Sequence, residues 1–291
     1  MQEKYVNPFT DFGFKKIFGE EPNKDLLISF LNQFLPQHHH IKDLTYLKSE
    51  HLGISELDRK AIFDLYCESP SGEKFIVEMQ KARQNYFKDR SVYYATFPIQ
   101  QQAQRGEVWN YELKAVYFVG ILDFVFADNL NDNEVLHEVK LKNQIGEVFY
   151  DKLTFIYLEM PKFRKTLDEI ETLFDKWLYV LKHLPTLQKR PRKLQDKVFT
   201  KLFETAQIAR FNKTELEEYE ESLKIYRDIH SVVETAFGEG KIEGKIEGKI
   251  EGEQNKTVEI AMNLIKLGLN NETIIKATNL NIEEIEKLRN E

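Results

Sequence analysis

The chain of 291 residues has a single cysteine, two tryptophans and no long apolar run. With Cys67 alone no intrachain disulfide can form, which suits a reducing cytoplasm. The longest apolar stretch, Ala115 to Ala127, is 13 residues interrupted by Asp123, too short to span a bilayer. Met1-Gln-Glu-Lys-Tyr5 opens without an apolar signal core, so neither export nor a membrane location is expected. Positive charge is also short: 41 Lys and Arg stand against 48 Asp and Glu, a net charge of −7. A generally basic, nucleic-acid-coating protein is thereby excluded. Local basic patches remain open, because phosphate contact depends on where the charges sit.

Glycine is scarce where nucleotide chemistry would need it. Five of the 13 glycines (238, 240, 244, 248 and 252) fall in one short segment, and the seven before residue 238 stand far apart. They form no dinucleotide-type fingerprint and no phosphate loop, so no nucleotide cofactor is expected. The Gly-Lys pairs at 240, 244 and 248 are each followed by Ile, which lacks the hydroxyl a magnesium ion needs. A Gly-x-Ser-x-Gly elbow is missing too, so nucleotide-driven and serine-hydrolase readings lose most of their support.

What is present is globular: 42% hydrophobic and 31% charged residues, enough for a real core. Thr10 to Phe34 reads as helical, with Leu26, Leu27, Phe30, Leu31 and Phe34 on one face and Pro36 closing it. Two alternating runs, Arg59 to Glu68 and Glu73 to Gln80, flank the turn residues Ser69-Pro70-Ser71-Gly72 and predict a hairpin. Lys81 to Gly106 predicts a helix broken or kinked at Pro98. Lys114 to Ala127 predicts a central strand covered on both faces, with further strands at Val135 to Leu141 and Leu153 to Met160. From Thr166 the pattern is helical, with breaks near Pro185 to Pro191 and Asn212. Thr214 with Glu217 fits a capping box opening a helix to about Phe237. The expected domain, residues 1–238, is a mixed α/β unit.

Residues 239–253 repeat Glu-Gly-Lys-Ile. Like charges at i,i+4 and a Gly costing roughly 1 kcal/mol per repeat favour a flexible linker. The other reading is a helix whose glycine face, with Ile242, Ile246 and Ile250 alongside, admits a second copy. Residues 254–291 predict a small helical tail stopped once at Gly268. Its five basic residues against six acidic ones favour a protein-contact or homodimer module over a DNA-reading helix-turn-helix.

The hairpin carries the chemistry. Ile62, Asp64 and Tyr66 share one strand face, Ala61, Phe63, Leu65 and Cys67 the other, and Ile76, Glu78 and Gln80 share a face of the second strand. With a loop at Ser69–Glu73, Glu68 faces Lys74, Tyr66 faces Ile76 and Asp64 faces Glu78. Two directly opposed carboxylates repel, and a divalent cation, Mg²⁺ or Mn²⁺, is the obvious compensation. Gln80, next on that face, could orient a water. The arrangement suits metal-assisted hydrolysis of a phosphodiester, although two acids facing solvent on a hairpin are also ordinary. A competing acid-x-Lys, Glu138-Val139-Lys140, fails on register: a loop at Asn129–Asn133 would set Asp123 opposite Val139 and leave Glu138 on the other face.

Asn7-Pro-Phe-Thr-Asp11-Phe-Gly-Phe-Lys15-Lys-Ile-Phe-Gly19, Leu31-Asn32, Glu50, Arg59-Lys60-Ala-Ile-Phe-Asp64 and Phe75-Ile-Val-Glu78-Met-Gln80 together resemble the Rpn family. These are recombination-promoting nucleases, also described as transposases, in the PD-(D/E)XK superfamily. The resemblance implies a restriction-endonuclease-like core, a mixed sheet flanked by helices with a helical C-terminal extension. It implies a DNA endonuclease linked to recombination or mobile elements and dependent on Mg²⁺ or Mn²⁺. Asp64 and Glu78 would be metal ligands, with Gln80 in the place of the superfamily's lysine. Asp11 and Glu50 match the pattern as further ligands, or serve as a helix cap and a surface acid. An amide lacks the lysine's charge, and Lys81 points to the opposite strand face. The rival reading is therefore a DNA- or protein-binding module with weak or lost catalysis.

Lys15, Arg83, Arg90 and Gln101 are candidates for DNA contact, with Tyr86, Tyr93 and Tyr94 as stacking or packing rings. Lys189 to Lys201 holds six positives, Arg190 and Lys193 among them, against Asp196 alone, and is the strongest basic patch. His38 to His40 lack a fixed ligand geometry, and Cys67 belongs to the apolar strand face.

Overall fold

A computed structural model describes residues 3–51, 61–103, 110–129 and 132–290. Its first helix, α1 (Asp11–Phe18), starts from a cap built by the opening motif. Thr10 Oγ1 accepts from the Gly13 N–H at 3.0 Å, and the Asn7 carbonyl accepts from both Thr10 N–H and Oγ1–H. Thr10, not Asp11, is thus the capping residue. The helical run expected over Thr10 to Phe34 is two helices. Gly19 ends α1, Glu21–Asn23 forms a 3₁₀ turn around Pro22, and α2 (Lys24–Leu31) follows.

Among the described residues eight strands form two sheets. β1 (Thr45–Tyr46), β4 (Leu65–Glu68), β5 (Lys74–Gln80), β6 (Val116–Leu122), β7 (Leu136–Lys142) and β8 (Val148–Glu159) form a mixed six-stranded sheet ordered β1-β4-β5-β6-β8-β7. β2 (Glu50–His51) and β3 (Ala61–Ile62) pair separately. β5, β6 and β8 run parallel, whereas β4 and β7 lie antiparallel to β5 and β8. The register of the first hairpin is the expected one: Glu68 faces Lys74 and Tyr66 faces Ile76. Its turn needs Gly72, whose φ of +93° disfavours a side chain.

The expected pairing of the Lys114–Ala127 strand with the Val135–Leu141 strand is not formed. β8 lies between β6 and β7, so Asp123 and Val139 are not cross-strand partners. Parallel β6 is buried at every position, as a strand covered on both faces must be.

One sheet face, through Phe75, Val77, Met79, Val119, Ile121 and Leu158, packs in the core with Phe14, Phe18, Phe30 and Trp177. These come from α1, α2 and α4 (Leu173–His183). The other face, through Tyr66, Ile76 and Phe118, packs against Phe87 and Ala95 of α3 (Phe87–Gln101), a helix that contains Pro98 without breaking. Phe63 joins this second cluster beside Tyr66, against the expected alternation. The strand is interrupted between Ile62 and Leu65, and the period-two rule lapses across the bend.

After α5 (Lys197–Thr205), the long helix α6 (Lys213–Lys266) opens on a reciprocal cap between Asn212 and Glu215, two residues before the expected Thr214. It continues past Phe237, and the Glu-Gly-Lys-Ile repeat is helical throughout. Residues 238–254 hold no Ser, Thr, Asp or Asn to cap a new helix, and extending an existing helix is cheaper than nucleating another.

Two compact units result, Met1–His230 and Ser231–Glu291. In the second, Ala261 of α6, Ile274 of α7 (Asn271–Thr278) and Ile285 of α8 (Ile282–Asn290) make a small core of their own. Among the described residues no helix is long and apolar enough to cross a membrane. Cys67 is fully buried, and burial pushes its thiol up to about 12, which makes it core and not a nucleophile.

Candidate metal centre

The β4–β5 ladder ends at Leu65 and Val77, and beyond it side chains continue the pairing. The Asp64 N–H donates to Glu78 Oε1 at 3.1 Å, and Asp64 Oδ2 accepts from the Met79 N–H at 2.7 Å. The two carboxylates are therefore adjacent, as the register requires. Glu78 is only 6% exposed. Burial, and then the Asp64 charge, push its carboxyl up to about 8. Burial raises Asp64 as well, against the Met79 amide that favours its ionised form.

Each carboxylate keeps one oxygen with no hydrogen-bond donor among the described residues, and neither forms an ion pair there. Two neighbouring acids, Glu78 buried and Asp64 partly so, are unfavourable as anions without a cation. Their donor set, hard carboxylate oxygens, fits Mg²⁺ or Mn²⁺.

Asp64 lines a cavity of about 580 Å³ together with Asp11, Lys15, Tyr46, Tyr66 and Lys81. Asp11 thus reaches the site region, but it pairs with Lys15 at 3.0 Å, and both are about half exposed. Lys81 shares the cavity with Asp64, so its position on the face opposite Gln80 does not take it away from the aspartate. Burial pushes its ammonium down, while Asp11 and Asp64 pull it up. Glu50 lies opposite Ile62 in the small ladder, and its side chain is outside the described residues, as are Arg59, Lys60 and the side chain of His38.

Gln80 does not extend toward open space. Its Oε1 accepts from Arg90 Nη2 at 2.6 Å, and its Nε2 donates to the Ala82 carbonyl at 2.9 Å. Gln101 accepts from the Tyr66 hydroxyl at 2.9 Å. Arg83 is exposed near Lys88, which pairs with Asp128 at 2.6 Å. Arg190 donates to Thr200 and Gln195, and Lys193 donates to the Asp168 carbonyl, so neither lines the Asp64 cavity. Tyr94 packs edge-on against Phe63 and Tyr93 against Phe97.

Sequence reasoning missed a second cluster. Asp132, His137 and Glu159 bring one ligand atom each within 4.8 Å of one another. Here the charge is met within the protein: the Lys162 ammonium lies 2.7 Å from Glu159 and pairs with Asp132. Phe126 N–H also donates to Glu159 at 2.6 Å. The spacing of 5 and 22 residues around His137 gave no strand-level signal for it. A lysine already occupies the place a metal would take.

The model of the PD-(D/E)XK nuclease family transposases matches residues 8–236, a stretch that contains Asp64, Glu78 and the cavity. The chain belongs to this family. No curated protein and no solved structure matches it. Membership accords with the fold, a mixed sheet flanked by helices with a helical C-terminal region. Nucleases of the PD-(D/E)XK type typically use divalent metals.

Proposed function

We propose that the protein is a divalent-metal-dependent DNA endonuclease that hydrolyses backbone phosphodiesters, in the service of DNA recombination or a mobile element. The observation that carries this reading is the Asp64–Glu78 pair: adjacent acids, one buried, sharing backbone amides and lacking a cationic partner among the described residues. A Mg²⁺ or Mn²⁺ ion, when bound, supplies Lewis acidity toward a phosphate oxygen. Asp64 and Glu78 hold it through the oxygens their amide contacts leave open. Asp11 lies on the same cavity wall and adds a further carboxylate. Lys15 and Lys81 bring positive charge to that wall and hold the DNA backbone by phosphate contact. Phe12, Leu47, Leu65 and Ile225 form the apolar part of the lining, beside Tyr46 and Tyr66. The bond broken is a backbone phosphorus–oxygen bond, with water as the nucleophile.

The second unit supports a homodimer through the C-terminal helical region. Ile242, Ile246 and Ile250 are each more than half exposed beside glycines at every fourth position. Four Glu and three Lys alternate along the same 14 residues, which a second copy complements in charge. Paired protomers would suit cutting both strands. A cytoplasmic location agrees with the lone, buried cysteine.

The test is cleavage of supercoiled plasmid with Mg²⁺ or Mn²⁺ by the purified protein, by Asp64→Ala and in EDTA. Metal-dependent nicking that the substitution abolishes supports the reading. Cleavage that survives the substitution rejects this site. A folded protein that binds DNA but cuts with neither metal returns the choice to a binding module.

A further inference from the structure

The superfamily's lysine is absent, and the residue in its place is engaged in a way that the sequence does not suggest. Both ends of the Gln80 amide are used: Oε1 accepts from Arg90, and Nε2 donates to the Ala82 carbonyl. The Ala82 contact fixes which end of the amide faces the arginine, since only oxygen can receive a guanidinium. Arg90 is held three further times. Its Nη1 donates to Gln84 Oε1 at 2.6 Å, and its guanidinium carbon lies 4.9 Å from the Phe87 ring centre and 5.7 Å from that of Tyr94.

All of these partners are neutral. Among the described residues Arg90 forms no ion pair, although it is partly buried and carries a permanent charge. A partly buried guanidinium that forms no ion pair keeps the capacity to take an anion. Its charge acts on Glu78, whose carboxyl it pulls down against burial. Among the described residues only Gln80 and Gln84 accept from Arg90, which leaves further N–H groups of the planar fork that suits phosphate.

We propose that Arg90 supplies, to a phosphate of the DNA backbone at the Asp64–Glu78 centre, the fixed positive charge that the superfamily takes from lysine, and that Gln80 is the residue that positions it. This rests on the nuclease reading for its setting. Arginine does not give up its proton in proteins, so its part is to stabilise charge on the phosphate, not to activate water. Gln80 acts through Arg90 and needs no water of its own.

The experiment measures binding of a fluorescent DNA duplex in Ca²⁺ at several salt concentrations, together with plasmid cleavage in Mg²⁺. The proteins are the wild type, Gln80→Ala, Arg90→Ala, the double variant and Gln80→Lys combined with Arg90→Ala, with Arg90→Gln as a second variant that keeps polar contact to Gln84. Loss of one phosphate contact lowers the salt slope by about one. The expected result is that fall in Arg90→Ala, and a fall in the same direction in Gln80→Ala, which removes no charge and so reports displacement of the arginine. The double variant binds and cleaves no worse than Arg90→Ala, and Gln80→Lys in the Arg90→Ala background restores cleavage at least tenfold.

A wild-type slope in Gln80→Ala overturns the proposal, as do cleavage losses that multiply in the double variant. A wild type that binds DNA and cuts with neither metal rejects the nuclease reading, while the slopes still decide the Gln80–Arg90 pair. A wild type that binds no DNA overturns both.

Discussion

Asp64 and Glu78 each take a backbone amide from the other's strand: Glu78 Oε1 receives the Asp64 N–H, and Asp64 Oδ2 receives the N–H of Met79, next to Glu78. The ladder is thereby continued by carboxylates at the point where it would otherwise end. That exchange holds two acids side by side.

The consequence is a stability that falls with pH when metal is removed. Glu78 titrates at its ordinary 4.5 in the unfolded chain and at about 8 in the folded one. Between those values the folded state holds the extra proton. The contribution of Glu78 is therefore fully present below 4.5 and lost as pH rises through about 8. In EDTA the melting temperature of the wild type should drop relative to Glu78→Gln by about 5 °C or more on going from acid to mildly alkaline buffer. Added Mn²⁺ should recover the loss in the wild type and not in the variant. Parallel melting curves for the two proteins would contradict the assignment of Glu78.

Lys81 and Lys193 test where the DNA lies. Lys81 lines the cavity with Asp64, whereas the Lys193 ammonium is spent on the Asp168 carbonyl. Lys81→Met should weaken duplex binding about tenfold at moderate salt and reduce the salt slope by about one. Lys193→Ala should leave both nearly unchanged. The reverse ranking, read by anisotropy titration, would move the DNA to the Lys189–Lys201 patch.

The pairing of Asp64 with Glu78 was legible once a loop at Ser69–Glu73 was taken from the turn chemistry, because that loop sets the cross-strand partners and a slip of one residue would separate the two acids. Family membership was legible from the opening motif and the hairpin together. What stayed hidden depends on breaks in periodicity and on contacts made by side-chain reach. The bend at Phe63 and Asp64 turns Phe63 to the Tyr66 face and leaves Asp64 lining a cavity with Lys81. Arg90 meets Gln80 because the chain reverses into α3 through Tyr86, whose φ of +62° no local pattern announces. The position of β8 between β6 and β7 is a matter of topology, since a parallel crossover and a hairpin can join similar apolar runs.

Gly13 in the opening motif is structural. A Cβ there would lie 2.1 Å from the Asn7 carbonyl oxygen and 2.7 Å from Thr10 Oγ1, the two atoms that build the cap of α1. Gly13→Ala, which in an open helix would gain roughly 1 kcal/mol, should here cost about 3 kcal/mol. Urea denaturation checks the sign. A stabilised variant would mean that the cap can shift without loss.

The glycines of the repeat should behave in the opposite way. A Cβ at Gly240, Gly244 or Gly248 meets nothing within 4 Å in the single chain, so Ala at each should stabilise the helix by roughly 1 kcal/mol. If a second copy packs on that face, the same methyl groups stand between the two backbones and hold them apart. The triple Ala variant should therefore be more helical by circular dichroism and yet associate at least tenfold more weakly in sedimentation equilibrium. Leu at the same sites should end association altogether, because its bulk exceeds any gap a close backbone crossing leaves. Unchanged association in the Leu variant would remove the glycine face from the homodimer and leave the exposed isoleucines without that partner.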